Sequence, residues 1–380
     1  METKKYRFDE VTINFDKKRI PLSSAQREKR QGMFRYYGAQ GVIDHVDDYI
    51  FEGTYLLIAE DGENLKSKKQ NIAQVVDGQF WVNNHAHIVQ GNEQCDTRFL
   101  CYLINSMDLS GYITGSAQPK LSQANLNAVT LSLPTLAEQK RIVEYLYMLD
   151  QKIDVNRQIN DNLEQQAQSY FQELFVDNAD PEWAIGTISD LGTVVGGSTP
   201  SKAKPEYYTE SGIAWITPKD LSINKSKFVS HGENDITELG LKNSSAAIMP
   251  EGTVLFSSRA PIGYIAIAAG EVTTNQGFKS VVPKPEIGTP FVYFFLKNTL
   301  PVIEGMASGS TFKEVSGSTM KKVPAVIPDA ETLAKFSDFC ALIFAQQRIL
   351  EEQNQSLATL RDNLLPKLMS GEIDVSAVQL

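Results

Sequence analysis

Two stretches of the chain carry seam positions at alternating steps of four and three. In residues 142–174 these read Ile142, Leu146, Leu149, Ile153, Asn156, Asn160, Leu163, Ala167, Tyr170 and Leu174. In residues 333–368 they read Leu333, Phe336, Cys340, Ile343, Gln347, Leu350, Asn354, Leu357, Arg361, Leu364 and Leu368. That is a coiled-coil period, and no proline interrupts it before Pro366. Each stretch predicts one long helix, roughly 50 Å at about 1.5 Å per residue. Asn156, Asn160, Gln347, Asn354 and Arg361 place polar groups in the seams. Such groups cost stability and fix register. A chain with two such helices most simply pairs them antiparallel within itself.

The residues ahead of each helix have a different texture. Short apolar runs at 53–59, 254–257 and 264–268 predict strands, punctuated by Gly, Pro, Asn and Ser. The stretches 99–105 and 291–298 predict short helices packed on the sheets.

The two halves match in order. Glu52-Gly53-Thr54-Tyr55-Leu56 corresponds to Glu251-Gly252-Thr253-Val254-Leu255, an offset of 199. Val82-Asn83-Asn84-His85 aligns with Thr273-Thr274-Asn275-Gln276, and Phe99-Leu100-Cys101-Tyr102-Leu103 with Phe291-Val292-Tyr293-Phe294-Phe295. Leu133-Pro134 aligns with Ile327-Pro328, an offset of 194. A near-constant offset predicts two copies of one unit of roughly 190 residues. The expected fold is α+β: two pseudo-repeated β-rich domains, 1–134 and 179–328, separated by a pair of long antiparallel coiled-coil helices, 135–178 and 329–380.

Charge follows the same partition. The formal total of −10 resolves into −1, −4, −1 and −4 for the four segments. The acidity sits in the helices, which suits protein docking better than DNA contact. The β-rich segments are near neutral, with local basic clusters such as Lys17-Lys18-Arg19, Lys66 with Lys68-Lys69, and Lys202 with Lys204. A hydrophobic fraction of 42% excludes intrinsic disorder. Three cysteines build neither a disulfide framework nor a zinc pattern, so a reducing cytoplasm is expected. The N-terminus lacks an apolar signal core and no run of about 18 apolar residues exists, so no membrane partner is expected.

The sequence carries none of the common catalytic motifs. There is no phosphate loop, dinucleotide fingerprint, nucleophile elbow or amino-methyltransferase motif. His85-Ala86-His87 lacks further metal ligands nearby and reads as satisfied polar residues near a strand end. Asp329 or Thr332 reads as an N-terminal helix cap.

With the repeat and the helices in view, the chain resembles a type I restriction–modification specificity subunit. Gly196-Gly197-Ser198-Thr199-Pro200-Ser201 followed by Gly212-Ile213-Ala214-Trp215-Ile216 is similar to the opening of a target recognition domain of that family. Arg259-Ala260-Pro261-Ile262-Gly263, Thr274-Asn275-Gln276-Gly277 and Ser308-Gly309-Ser310-Thr311 continue the pattern. Glu138-Gln139-Lys140-Arg141-Ile142-Val143 resembles the entry to its central helix, and Leu364-Leu365-Pro366-Lys367-Leu368-Met369-Ser370-Gly371-Glu372-Ile373 its C-terminal ending. The first half departs from the family: Lys18-Arg19-Ile20-Pro21-Leu22 replaces the Gly-Gly-Ser-Thr-Pro opening.

The resemblance implies a subunit that does no chemistry and needs no cofactor of its own. Each β-rich domain reads one half of a bipartite, asymmetric double-stranded DNA target. The helices set the half-site spacing and dock two S-adenosylmethionine-dependent methylation subunits, which motor–nuclease restriction subunits join. Reading bases needs amide, hydroxyl and guanidinium groups facing a groove. Candidates in the first half are Arg35, Tyr36, Gln40, Asn84, His85, Gln118 and Lys120. In the second half they are Lys202, Lys204, Lys219, Ser257, Arg259, Asn275, Gln276, Ser310 and Lys313. Two other readings compete: a stand-alone duplicated DNA-binding module, and a coiled-coil adaptor that touches no DNA.

Overall fold

The structure, a computed structural model, describes residues 2–67, 70–115, 118–309 and 313–373. The fold is α+β, and the chain divides into two units, Met1–Ile153 with Ser356–Leu380 and Asp154–Gln355.

The first unit contains strands β1 (Lys4–Arg7), β2 (Thr12–Asn14), β3 (Gln31–Gly38), β4 (Gly41–Val46), β5 (Phe51–Ala59), β6 (Ala73–Val82), β7 (Ala86–Gly91) and β8 (Thr130–Leu133). Six form one sheet in the order β2-β7-β5-β6-β3-β4. All its neighbours are antiparallel except β3 and β6. Phe51, Leu57, Phe80, Val82 and Ile88 fill one face. The helix Thr97–Ser106 covers the other, burying Phe99, Leu100 and Ile104 against Leu56 and Ile58. Asp96 caps that helix by accepting from the backbone N–H groups of Arg98 and Phe99.

The second unit contains β9 (Ala184–Thr187), β10 (Gly192–Gly196), β11 (Tyr208–Thr209), β12 (Ile213–Ile216), β13 (Phe228–Val229), β14 (Asn234–Ile236), β15 (Val254–Ser258), β16 (Ile262–Ala268), β17 (Thr273–Thr274), β18 (Lys279–Pro283) and β19 (Pro324–Ile327). Here the sheet is broken in two: β10-β18-β15-β16-β13 and β11-β14-β12-β17.

The break conceals a repeat. The order β10-β18-β15-β16 reproduces β2-β7-β5-β6, antiparallel throughout. The long strand β6 is replaced by two pieces, β16 and β17. The second piece pairs in parallel with β12, as the end of β6 pairs with β3. Then β14 lies antiparallel on β12, as β4 lies on β3. Each unit also closes with a two-stranded antiparallel ribbon, β1-β8 or β9-β19, whose last strand leads into a long helix. Strands β11 and β13 are additions of the second unit.

The first long helix spans Leu136–Gln172 and the second Ala330–Ser370. Thr135 and Glu138 cap the first reciprocally: the Glu138 carboxylate accepts from the Thr135 N–H at 2.9 Å. Asp329 caps the second, accepting from the Thr332 N–H at 2.9 Å. Every seam position read from the sequence is buried or half-buried.

In the first unit, Ile142 and Leu146 pack with Leu368, and Arg361 donates to Asp150 at 2.7 Å. In the second, Ala167 and Phe171 pack with Leu333, Phe336 and Cys340. The rising numbers of one helix meet the falling numbers of the other, so both segments are antiparallel. Asn156 donates to Gln353 (2.7 Å) and Asn354 (2.9 Å), and Gln347 donates to the Asn160 carbonyl (3.1 Å). The polar seam residues therefore hydrogen-bond across the helix pair in one register, the use expected of them.

The second unit also seats its domain on the helices through buried charge. The Lys227 ammonium contacts the Glu164 carboxylate of the first long helix and donates to Gln347 of the second at 2.7 Å. The rings of Phe344 and Tyr293 lie 4.1 and 4.7 Å from it. Lys297 and Tyr293 also donate to Glu164, at 2.5 and 3.1 Å. Burial works to raise the Glu164 carboxyl, but Lys227 and Lys297 outweigh it and hold it below the usual range.

Candidate nucleic-acid interface

In the second unit, five connections meet at one open groove of about 430 Å³. They are the segment after β10, the helical turn after β12, the segment leading into β14, the turn between β15 and β16, and the turn after β17. The groove collects Lys202, Lys219, Arg259, Asn275 and Gln276 from the sequence candidates, together with Thr199, Trp215 and Asn234.

The geometry follows from backbone contacts. Gly197 lies so close to the next loop that a Cβ there would sit 2.0 Å from the Asn275 carbonyl oxygen. Only glycine permits that approach. Ser198 N–H donates to the Thr274 carbonyl (2.9 Å), and the Trp215 indole donates to the Ser198 carbonyl (3.0 Å). The Asn275 side-chain oxygen holds its own turn, accepting from Gly277 N–H at 2.8 Å. Gln276 is left exposed at the tip, with its side-chain oxygen accepting a hydrogen bond from the Thr199 hydroxyl.

The cations of this groove are partly neutralised. Lys219 pairs with Glu233 at 2.5 Å, and Arg259 pairs with Glu314 at 3.4 Å. Lys204 is exposed and pairs with Glu206 at 3.6 Å. Lys313 is exposed, and Ser310 lies outside the described residues.

The first unit has an equivalent turn. Asn83 N–H donates to the Tyr37 carbonyl of β3 (2.9 Å), as Asn275 N–H donates to the Ile216 carbonyl of β12 (3.0 Å). Asn83 also accepts from His85 N–H at 2.8 Å, the same short turn. The structural partner of Asn275 is therefore Asn83, one residue away from the pairing of Asn84 with Asn275 read from the sequence. Asn84 and Gln276 are the matching exposed tips.

Around this turn lie exposed His85, Lys120 and Gln40. His85 contacts Asp61 at 2.7 Å, Lys120 pairs with Glu60 at 3.2 Å, and Gln40 donates to Asn64 at 3.4 Å. Gln118 is exposed between Thr114 and Lys120, whose backbones bridge. Arg35 is exposed on β3 and donates to the Asp77 carbonyl at 2.8 Å.

Two candidates are corrected by burial. Tyr36 is 0% exposed, and its hydroxyl accepts from the Leu22 N–H at 2.9 Å. Ser257 is 0% exposed, donating to the Pro261 carbonyl and accepting from the Tyr264 N–H. Both are core residues that a duplex cannot reach.

His85 and His87 do not act together. His87 is buried, with its ring nitrogens 2.6 Å from Asp16 and 2.8 Å from the Leu121 carbonyl. Burial works to raise the Asp16 carboxyl, but His87 and the Ile88 N–H hold it below its ordinary value. Among the described residues no group of three or more His, Cys, Asp or Glu side chains is placed to hold a metal ion. Burial pushes the Cys95, Cys101 and Cys340 thiols up to about 12.

Arg19 and Lys279 also sit at these turns, outside the candidates read from the sequence. The Arg19 guanidinium reaches Glu60 (3.0 Å) and the carbonyls of Asn84 (3.3 Å) and Ala86 (2.9 Å), buttressing the first turn. Lys279 donates to the Gln276 carbonyl at 3.3 Å, beneath the second turn. The signal in the sequence was their basic character close to the recognised motifs.

Comparison with known proteins agrees with this arrangement. The family model for the type I restriction modification DNA specificity domain matches residues 2–165 and 181–361, so the chain belongs to that family. The MjaIX type I restriction enzyme specificity subunit of Methanocaldococcus jannaschii is 39% identical over 191 residues, 48% of this chain and 44% of its own length. This chain thus spans less than half of that relative. The HindI specificity subunit of Haemophilus influenzae is 24% identical, with 84% of each chain aligned. A crystal structure of the S subunit from M. genitalium shares the fold, with a TM-score of 0.58 over 97% of this chain and 96% of that one at 16% identity. Specificity subunits of type I systems bind DNA, assemble with other subunits and are generally non-catalytic. Among the described residues no helix is long and apolar enough to cross a membrane.

Proposed function

We propose that this chain is the cytoplasmic DNA-reading subunit of a type I restriction–modification complex, with each unit contacting one half of a bipartite duplex target. The observation that carries the reading is the duplicated turn. Asn83-Asn84-His85 and Asn275-Gln276-Gly277 sit at the same point of one repeated topology, each amid exposed polar side chains. A protein that reads two half-sites needs two such presentations.

In this reading Arg35, Gln40, Asn84, His85, Gln118 and Lys120 serve the first half-site. Lys202, Lys204, Lys219, Arg259, Asn275, Gln276 and Lys313 serve the second. The lysines and Arg259 neutralise phosphates, and the amide groups and the Arg35 guanidinium approach bases. The long helices dock two S-adenosylmethionine-dependent methylation subunits, and motor–nuclease subunits join that core. Paired cations leave each recognition face with little free positive charge, so tight binding draws on the methylation subunits to wrap the duplex. The adaptor reading lacks a reason for the duplicated turn.

Single-molecule methylation sequencing of host DNA, with and without the gene, tests the proposal. The expected result is one bipartite adenine-methylated motif that disappears on deletion. An unchanged set of methylated motifs refutes it.

A further inference from the structure

Behind the groove of the second unit, two cations share one carboxylate. Arg259 approaches Glu314 at 3.4 Å, and Lys279 approaches the other oxygen of the same carboxylate at 3.8 Å. The backbone holds the acid there. Ser308 and Glu314 exchange two N–H···O bonds (3.0 and 2.8 Å), and the Val315 N–H donates to the Ser258 carbonyl next to Arg259 at 3.0 Å. Arg259 and Glu314 remain more than a third exposed, at 37% and 38%, whereas Lys279 is 16% exposed. The cluster therefore carries one net positive charge, reaches the groove through Arg259 and is closed by a carboxylate. A carboxylate and a phosphodiester present the same kind of anionic oxygen acceptors to a guanidinium and an ammonium.

We propose that Arg259 and Lys279 form a phosphodiester site which Glu314 occupies in the unbound chain, so that this one carboxylate restrains duplex binding by the second unit. The inference rests on the reading of the groove as a DNA interface and adds a built-in competitor to it. Burial lowers the Lys279 ammonium while Glu314 raises it, so the lysine gains from an anionic neighbour in either state. A phosphate that displaces Glu314 replaces that neighbour without leaving the lysine unpaired. A restraint of this kind weakens binding to all sequences equally, since phosphates carry no sequence information.

The test measures fluorescence anisotropy of a random-sequence 40-base-pair duplex with the full-length chain assembled with its methylation subunits, between 50 and 200 mM salt. Glu314→Gln keeps the shape and removes the charge. It is expected to bind about two- to five-fold tighter at the lowest salt, with a salt slope steeper by about one. Lys279→Met is expected to weaken binding and flatten the slope by about one. Arg259→Ala separates the groove's contact with DNA from the restraint by Glu314. If Arg259→Ala binds like the parent, or the parent binds no duplex, the groove reading falls and takes this inference with it. If Arg259→Ala weakens binding while Glu314→Gln gains nothing, the groove reading stands and the restraint is refuted.

Discussion

Glu164→Leu is expected to be among the most damaging single changes in the second unit. Its carboxylate is the acidic partner of Lys227, an ammonium whose side chain is 6% exposed and walled in by Tyr293, Phe294 and Phe344. With Glu164 gone, the Lys227 ammonium keeps Gln347 as a neutral acceptor at 2.7 Å, and its remaining acidic neighbour is Glu351, whose carboxylate is spent on the backbone N–H groups of Lys227 and Phe228. Lys297 is 34% exposed and can turn to solvent, so the penalty falls on Lys227. Breaking a buried pair from one side costs about 3–5 kcal/mol. Replacing both members by apolar residues costs far less, so Glu164→Leu combined with Lys227→Met is expected to recover at least about 2 kcal/mol.

The chain has three tryptophans, Trp81 in the first unit and Trp183 and Trp215 in the second. Urea unfolding followed by tryptophan fluorescence in a Trp81→Phe background therefore reports the second unit alone. With a slope of about 2 kcal/mol/M, the single change moves the midpoint down by about 2 M. Acid gives an independent check. The folded Glu164 carboxyl lies below its ordinary value, so its contribution is complete above the ordinary carboxylate range. That contribution is lost as pH falls through the depressed folded value. The parent should therefore lose more stability than Glu164→Gln in that window. A single-mutant cost under about 1 kcal/mol, or a double mutant no better than the sum of the singles, refutes the reasoning.

Other consequences are equally open to measurement. Asp16→Asn removes the charged acceptor shared by His87 and the Ile88 N–H. It should cost about 1–3 kcal/mol, read from Trp81 fluorescence with the other two tryptophans replaced; an unchanged midpoint contradicts the buried network. Asn156→Leu should raise the melting temperature, because the Asn156 side-chain oxygen is buried without a partner. A lowered value would show that its two donated bonds matter more. Gly197→Ala forces apart two backbones that touch at Asn275 and should weaken duplex binding without altering the circular dichroism spectrum; unaltered binding contradicts the role given to that loop. Tyr36→Phe and Ser257→Ala should each cost about 1 kcal/mol of stability and leave DNA affinity intact; a loss of affinity would return them to the interface.

Much of the fold could be read because it rests on local periodicity. The seam positions from Ile142 to Leu174 and from Leu333 to Leu368 repeat at one period, and burial follows them. Strands β5, β15 and β16 coincide with apolar runs between turn residues. The four-stranded sheet of the second unit was not legible, since its strands have two to four residues and show no alternation. Tyr36 was misplaced for a related reason. It sits with Tyr37 and Gly38 at the end of β3, three buried residues in a row, so no inward–outward pattern marks it. Ser257 belongs to β15, where every residue is buried. The pairing of Glu164 with Lys227 depends on tertiary contacts between distant segments, which spacing along the chain does not encode. The groove candidates emerged from motif resemblance, whereas the one-residue slip between Asn83 and Asn84 emerged only from backbone hydrogen bonds.

The central claim is that two copies of one topology read two separate half-sites. A chimera tests it most directly: residues 179–328 are exchanged for the corresponding segment of a relative with a different target, and the host's methylated motif is sequenced. The expected outcome is a motif in which one half changes and the other half stays as it was. A motif altered in both halves, or in neither, would contradict the account.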